Sequence, residues 1–566
     1  MSLISTIQLA ANSLQANQIG LQVVGQNVAN ANTPGYSKED VAFSPLPTQR
    51  IGDVLLGLGV HVDGVRQQVD KFTDQRLRSA TSDSSGATAQ QQAYQNLEGV
   101  LGDLKDTNLS TSFTAFFSSI QNVLNQPSDV STRNLAALQG QSLSSDVARL
   151  GQGIDAQRSD LDQKINGDVL DANRLIAQVR NLNVQISEQE GGHTSGSDAV
   201  GLRDQRNQAL NDLSKLVDIR VQEDRSGATN VFVGGDYLIY QGQQRTLATS
   251  LKSDRGVNVT EVVLADTKAP LTSQSGSIAG EITARDTILG GFHDKLDTFA
   301  RTLAFEFNKV FSSGQGLAGY STLAAKNSVN DANQSLESVG LPYTPVSGTF
   351  DVQIYNTQTK LTQTSTIAVD LNGLSGKDTT LNSLAAQLNG VPGLSATVSA
   401  RGQLQLKSTA PNLQFAFGND TSGALASLGV NVFFTGKGAN DLGVNADITS
   451  DPNKFAVSGA GVGADTSNGI KLAAFPDQAI DSLGGISITQ YQSSLKADVA
   501  QGSAAATAVA NGFASYQSTL NGQRLAISGV SIDEETVKLI QYQRAYQASA
   551  KIISTLNVLL DTLIKL

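Results

Sequence analysis

The sequence predicts an α+β multidomain chain, with N- and C-terminal heptad helices paired at its base in coiled-coil fashion. A long helical trunk with small β elements and an inserted β-rich domain complete it. Three observations predict this. Apolar residues recur at heptad spacing at both ends of the chain. The stretch from about 72 to 217 keeps a helical period, and residues 335–465 change to a period of two. At 566 residues the chain has room for about three or four domains. The boundaries predicted are 1–45 with 525–566 for the base, 46–330 with 466–524 for the trunk, and 331–465 for the insert.

The first element is a helix over about thirty residues. Leu3, Ile7, Ala10, Leu14, Asn17, Leu21, Val24 and Val28 are spaced 4-3-4-3-4-3-4, an a/d seam with one polar member. Such a helix spans roughly 40 Å at 1.5 Å per residue. Its other positions are Asn, Gln, Ser, Thr, Ala and Gly, weak helix formers without ion pairs, so it needs a partner. No charged side chain precedes Lys38. The helix is stopped in "NANTPGYSKED": Pro34 biases Thr33 away from helical geometry and Gly35 permits a sharp turn.

The last element mirrors the first. Ser531 and Glu534 form a capping box ahead of an acidic first turn. Leu539, Tyr542, Tyr546, Ser549, Ile553, Leu556, Leu560 and Leu563 then repeat the heptad. The two terminal helices are natural partners for each other.

Between them, Phe113, Phe116, Phe117, Ile120 and Leu124 make one apolar stripe, and a very long helix ends at Gly191-Gly192. A helix restarts with Ser197 or Asp198 as its cap. Short strands follow over "IRVQEDRSGATNVFVGGDYLIYQG", with turns at Ser226-Gly227 and Gly234-Gly235. Another helix carries Leu289 to Val310, loosened at its start by Gly290-Gly291. In the insert, "GTFDVQIYN", "TSTIAVDL", "LSATVSA", "GQLQLKS" and "LQFAFG" alternate as strands around one helix, "TTLNSLAAQLNG".

Composition narrows the chemistry. A net charge of -11 and a pI near 4.9 argue against nucleic acid and anionic membrane as partners. The absence of Cys excludes a disulfide framework and Cys-ligated zinc. His61, His193 and His293 stand far apart, outside any ligand spacing. No catalytic or metal motif is present; "GAGVGAD" lacks the phosphate-loop spacings, and "DQR" at Asp204–Arg206 reads as a trunk contact. No enzyme activity, metal or cofactor is expected.

The opening helix with "NVANANTPGYSKED" resembles the N-terminal motif of the bacterial flagellar rod, hook and hook-associated protein family, and "SGVSIDEETVKLIQYQRAYQASAKIISTLNVLLDTLI" resembles its C-terminal motif. Three further features resemble the members that join hook to filament. They are the long trunk after residue 72, "GLRDQRNQALNDLSKLVDI" followed by "VFVGGDYLIYQG", and "GSIAGEITARDTILGGFHDKLDTFARTLAFEFNKVF". The insert resembles a β-rich repeat of flagellins and hook-family proteins. Lys38 stands where the family often has Arg, and Leu556-Asn557-Val558 where it often has Ala-Asp-Glu.

The resemblance implies a structural subunit of the flagellum at the hook–filament junction, polymerising through its terminal helices into a ring or tube. Leu3, Ile7, Leu14, Leu21, Val24 and Val28 with Leu539, Tyr542, Tyr546, Ile553, Leu556, Leu560 and Leu563 would form the assembly interface. Asn32, Thr33, Pro34, Gly35 and Tyr36 would form the turn of the motif. Implied partners are hook protein on one side, hook-associated protein 3 on the other, and an export chaperone on the C-terminal helix. The expected location is extracellular, reached by the flagellar type III apparatus without a cleaved signal peptide. Alternatives are a hook protein or flagellin-like axial subunit, or a carbohydrate-binding insert using Tyr343, Tyr355 and Phe350. A secreted enzyme on this scaffold would need a site that the sequence does not display.

Overall fold

The computed structural model describes residues 3–51, 53–102, 108–191, 197–373 and 378–565. The side chains of Leu3 and Leu563 and the whole of His193 lie outside the described residues. Helices α1 (Leu3–Asn30), α2 (Lys71–Leu101), α3 (Leu109–Asn125), α4 (Val130–Gln189) and α5 (Val200–Leu216) dominate the first part of the chain. Then α6 (Ser277–Thr283) continues through a π-helical turn, Ala284–Leu289, into α7 (Gly290–Ser312). Short α8 (Leu381–Asn389), α9 (Ala424–Leu428), α10 (Ala446–Ser450) and α11 (Ser467–Ala474) precede the long α12 (Ile488–Ser528) and α13 (Ile532–Ile564).

The strands form small antiparallel groups. Strand β1 (Glu39–Pro45) carries a hairpin, β2 (Thr48–Ile51) with β3 (Val54–Gly57), and pairs with β4 (Val60–Gln67). Next come a four-stranded meander, β5 (Ile219–Glu223), β6 (Thr229–Val233), β7 (Asp236–Tyr240) and β8 (Gln243–Gln244), and the hairpin of β9 (Leu247–Asp254) with β10 (Val257–Leu264). Further on, β11 (Thr322–Ala324) lies in a sheet of order β11-β15-β14, with β14 at Leu394–Val398 and β15 at Leu404–Ser408. The sheet β13-β12-β16 joins β12 (Gly348–Asn356), β13 (Thr362–Val369) and β16 (Leu413–Gly418).

The chain divides into two compact units. One comprises 1–93, 159–286 and 504–566; the other comprises 94–158 and 287–503. In the first, Ile165, Val169, Ile176 and Val179 of α4 pack with Leu210 and Leu213 of α5 and with Val231, Val233, Leu238 and Ile239 of the meander. These residues recur at helical spacing on α4 and α5, so one face of each helix closes over the apolar face of the sheet. In the second, Phe116 of α3 lies 5.4 Å from Phe307 of α7 and 5.3 Å from Phe433, ring centre to ring centre, within an aromatic core. A separate core spans Tyr320 to Val430, where Phe350, Val352 and Ile354 of β12 turn inward at period two.

Several local expectations change. Ser197 and Asp198 do not cap α5, which begins after Ala199 without a side-chain cap. Instead Ser197 Oγ accepts from Val65 N at 3.0 Å and Asp198 Oδ2 from Gln67 N at 3.0 Å, satisfying the edge of β4. Gly290-Gly291 does stand at the start of α7, but helical turns already run from Ser277, and the loosening is the π turn just before the glycines. Of the capping box, Ser531 does cap α13, but Glu534 turns to Lys38, so its reciprocal half is absent. Phe350 belongs to the core and Tyr343 stacks on Phe305 at 4.3 Å, so the proposed aromatic binding face does not form.

Candidate assembly site at the terminal helices

Helix α1 packs against α13 and against the β1–β4 hairpin. It is therefore covered on two flanks, and burial is shared between the predicted seam, where Ala10 and Val24 are buried, and the line one residue before it, where Ala16, Gly20, Val23 and Asn27 are buried. Of the predicted positions, Val24 is buried, Ile7, Leu14 and Leu21 are half-buried, and Val28 is exposed, which corrects its place in the seam. Asn12 donates to Leu58 O at 3.2 Å and marks the flank that faces the hairpin.

On α13 the heptad falls on one side of the helix as read. Leu556 is buried, and Leu539, Tyr542, Tyr546, Ile553 and Leu560 are half-buried. The Tyr542 ring lies on Gly20, where an added Cβ would meet three ring atoms at 2.9 Å. Phe43 of β1 approaches the same ring, centroid to centroid 6.3 Å. Glycine is thus needed at residue 20 for close approach rather than for backbone freedom.

The motif turn is held by hydrogen bonds. Tyr36 N donates to Thr33 O at 3.2 Å, closing a β-turn with Pro34 second and Gly35 third, and Gly35 has φ of +84°. Pro at the second and Gly at the third position is the type II pattern. Asn32, Thr33 and Pro34 are exposed; Gly35 and Tyr36 are half-buried. A cleft of about 700 Å³ opens beside this turn, walled also by Leu525, Ile527 and Glu534.

One residue ties these parts together. Asn27 is fully buried, and its amide uses all four hydrogen-bonding positions. Its Nδ2 donates to Glu39 O and to Glu535 Oε2, both at 2.9 Å. Its Oδ1 accepts from the Tyr36 hydroxyl at 2.8 Å and from Glu39 N at 3.0 Å. Helix, turn, strand and C-terminal helix therefore meet at one side chain. The sequence reading missed this role, because Asn27 stands beside the apolar heptad, one position before Val28, rather than on it.

Charge completes the site. Lys38 Nζ lies 3.0 Å from Glu534 and 3.5 Å from buried Glu535, while Lys538 lies 3.4 Å from Glu535 and 3.6 Å from Asp40. Burial works against the Lys38 charge, but these carboxylates more than offset it and raise its pKa. Burial and the neighbouring Glu39 push the Tyr36 hydroxyl well above its usual range, keeping it a donor. Burial lifts the Asp204 carboxyl to about 6, although Ser37 and Gln67 hydrogen-bond to it. The Asp204 contacts are to Ser37 and to Gln67 of β4, while Arg206 is buried.

One arrangement has the composition of a catalytic triad without its geometry. Ser44 Oγ lies 3.0 Å from His61 Nδ1 but donates directly to Asp63 Oδ1 at 2.9 Å, and His61 Nε2 lies 2.8 Å from that same carboxylate oxygen, so the imidazole does not stand between the hydroxyl and the carboxylate. Among the described residues no group of three acidic or His side chains has metal-holding geometry, and no helix is long and apolar enough to cross a membrane.

Three family profiles match the chain. "Flagellar hook-associated protein FlgK helical domain" covers residues 94–324, "Flagellar basal body rod FlgEFG protein C-terminal" covers 521–566, and "Flagella basal body rod protein" covers 7–36. Flagellar hook-associated protein 1 of Escherichia coli K12 is 24% identical over 582 residues, spanning 99% of this chain and 100% of the relative. The same-named protein of Bacillus subtilis is 27% identical over 353 residues, 55% of this chain and 68% of its own. A solved structure titled as the flagellar hook junction protein FlgK from Burkholderia pseudomallei superposes with a TM-score of 0.49 at 14% identity, covering 80% of this chain and all of that one. Matched at both termini and through its helical middle, and aligned nearly end to end with a relative of that name, this chain is similar to flagellar hook-associated protein 1 along almost its whole length.

Proposed function

We propose that the chain is a structural subunit of the bacterial flagellum that joins hook to filament, and that it assembles through the α1–α13 pair. One observation carries the assembly role. The side of α13 turned away from the seam exposes Val537, Ile540, Ile552, Val558 and Leu559, between 42% and 63% accessible. Apolar residues this regular and this exposed fit burial against neighbouring copies. The exposed stripe of α1 differs: Gln8, Ala11, Gln15, Gln18, Gln22 and Gln26 are uncharged and polar or small. In a ring or tube such a stripe suits the lumen, because a wall without charge does not hold passing chains electrostatically.

The three-part division into base, trunk and insert is part of this reading. So are hook protein and hook-associated protein 3 as neighbours, a chaperone on α13 before export, and an extracellular location reached without a cleaved signal. The deciding experiment deletes the gene, images the cells by electron microscopy and assays flagellin in the medium. Bare hooks with flagellin lost to the medium support the junction role. Missing hooks would assign a hook or rod subunit, and normal filaments would refute both.

A further inference from the structure

We infer that strand β13 is a pairing edge, and that two copies of the chain join there, antiparallel about a local two-fold axis. The sheets β13-β12-β16 and β11-β15-β14 each have two outer strands. Three of those four edges are capped or brief. Asn389 Nδ2 donates to Ala396 O at 2.7 Å and its Oδ1 accepts from Ala396 N at 2.8 Å, which caps β14. Tyr320 exchanges two backbone hydrogen bonds of 2.8 Å with Phe415, which caps β16, and β11 is three residues long. Strand β13 differs. Its eight residues include no charge and no proline, and its register with β12 runs without a bulge. Charges, prolines and bulges are the devices that blunt an exposed edge. Asn356 N donates to Leu361 O at 2.9 Å, so the odd-numbered residues of β13 bond to β12. The backbone of Thr362, Thr364, Thr366 and Ala368 therefore faces outward. All four are exposed, and among the described residues nothing bonds to their outward N–H and C=O groups.

The strand is complementary to itself. Outward groups must meet outward groups, which allows a two-fold register centred on Ser365 or on Thr366. The register centred on Ser365 sets Thr364 opposite Thr366 and Lys360 opposite Asp370, and the two-fold axis repeats each pair. Lys360 is exposed and Asp370 half-buried, and neither has an ion-pair partner among the described residues. Between these ends the strand is uncharged, so no like charges meet across the contact. Two three-stranded sheets then run on as one. A contact about a two-fold axis closes at two copies. It is thus distinct from the contacts that build a ring, and it does not rest on assembly through α1 and α13.

The chain has no Cys, so single introduced cysteines report the pairing. In this register Ser365 faces itself as a non-hydrogen-bonded pair, whose Cα atoms lie about 4.5 Å apart, within disulfide range. Full-length Ser365→Cys is expected to form covalent dimers under mild oxidation, while Thr362→Cys, which faces Ala368, is expected to stay monomeric. Sedimentation of the unmodified chain is expected to show a dimer fraction that rises with concentration. Thr364→Pro removes an outward N–H that the monomer leaves unbonded, and is expected to abolish the dimer with Tm little changed. Should the proline disturb the strand, Thr364→Lys gives the same readout from an exposed side chain. Monomer at every concentration, a dimer that survives both substitutions, or equal cross-linking at positions 362 and 365 would overturn the proposal.

Discussion

The Nδ2 amide of Asn27 stands 2.9 Å from Oε2 of Glu535, a residue 508 positions further along the chain, and neither residue is exposed. A polar pair in an otherwise apolar helix contact fixes which turn of α1 meets which turn of α13. Removing one member strands the others. Asn27→Ala leaves the Glu535 carboxylate, the Tyr36 hydroxyl and Glu39 N without this partner and is expected to cost about 2–4 kcal/mol in denaturant unfolding. Glu535→Gln keeps a hydrogen-bonding oxygen but loses the attraction of Lys38 and Lys538; about 1–3 kcal/mol is expected. If Asn27→Ala costs no more than an exposed substitution, the pin does not exist.

The contact of Gly20 with Tyr542 gives a reciprocal test. Gly20→Ala forces a Cβ to within 2.9 Å of the ring and is expected to destabilise by about 1–3 kcal/mol despite alanine's better helix propensity. In the Tyr542→Leu background the clash is relieved, so the same change is expected to be neutral or favourable. A double-mutant cycle with no coupling would show that the ring yields freely.

How much of this was legible depends on how many sides of an element are covered. Helix α13 meets α1 along one face, and the heptad read from Leu539 to Leu560 falls on that face. Helix α1 is wedged between α13 and the hairpin, so burial is shared between the predicted seam and the line one residue before it, and Val28 lies outside. The hairpin itself was passed over, because β1 to β4 are short and Pro45, Pro47, Gly57 and Gly59 break their alternation. Strands β9 and β10 escaped for a related reason: "LATSLKSD" is mostly polar and pairs with β10, so Leu247 is its one buried apolar residue, beside Val259, Val262, Val263 and Leu264 of β10. By contrast β12 alternates cleanly, and Phe350, Val352 and Ile354 are buried as the period requires. Asn27 could not be assigned from one sequence, since its partners come from three other elements.

Protonation of Glu281 should stabilise the first unit. Burial raises the Glu281 carboxyl to about 7 from its ordinary 4.5, with Lys164 pulling the other way and Asp168 adding to the rise. The folded chain therefore holds this proton more tightly than the unfolded chain. The sign follows: stability is fully present below pH 4.5 and is lost as the pH rises through 7. Asp204, raised to about 6, adds a smaller effect of the same sign. Glu281→Gln is expected to flatten the slope of unfolding free energy against pH between 4.5 and 7 and to gain about 1–3 kcal/mol at pH 8. An unchanged slope would assign the pH dependence to other groups.

The two exposed faces of the terminal pair predict opposite behaviour. Val558→Asp and Val537→Asp alter exposed side chains, so the monomer's Tm is expected to stay nearly constant, within about 0.5 kcal/mol of stability. Assembly is expected to fail, leaving bare hooks and free subunit in the medium. Gln15→Lys and Gln22→Lys are also exposed, but they face the proposed lumen. Those variants are expected to assemble a junction and then slow the export of later subunits, giving shorter filaments on hooks of normal form. Measuring filament length at low and high external salt separates charge from bulk, because only a charge effect is relieved by screening. Filaments of full length in both Gln variants would remove the lumen from the α1 stripe, while assembly by both Val variants would remove the neighbour from the outer face of α13.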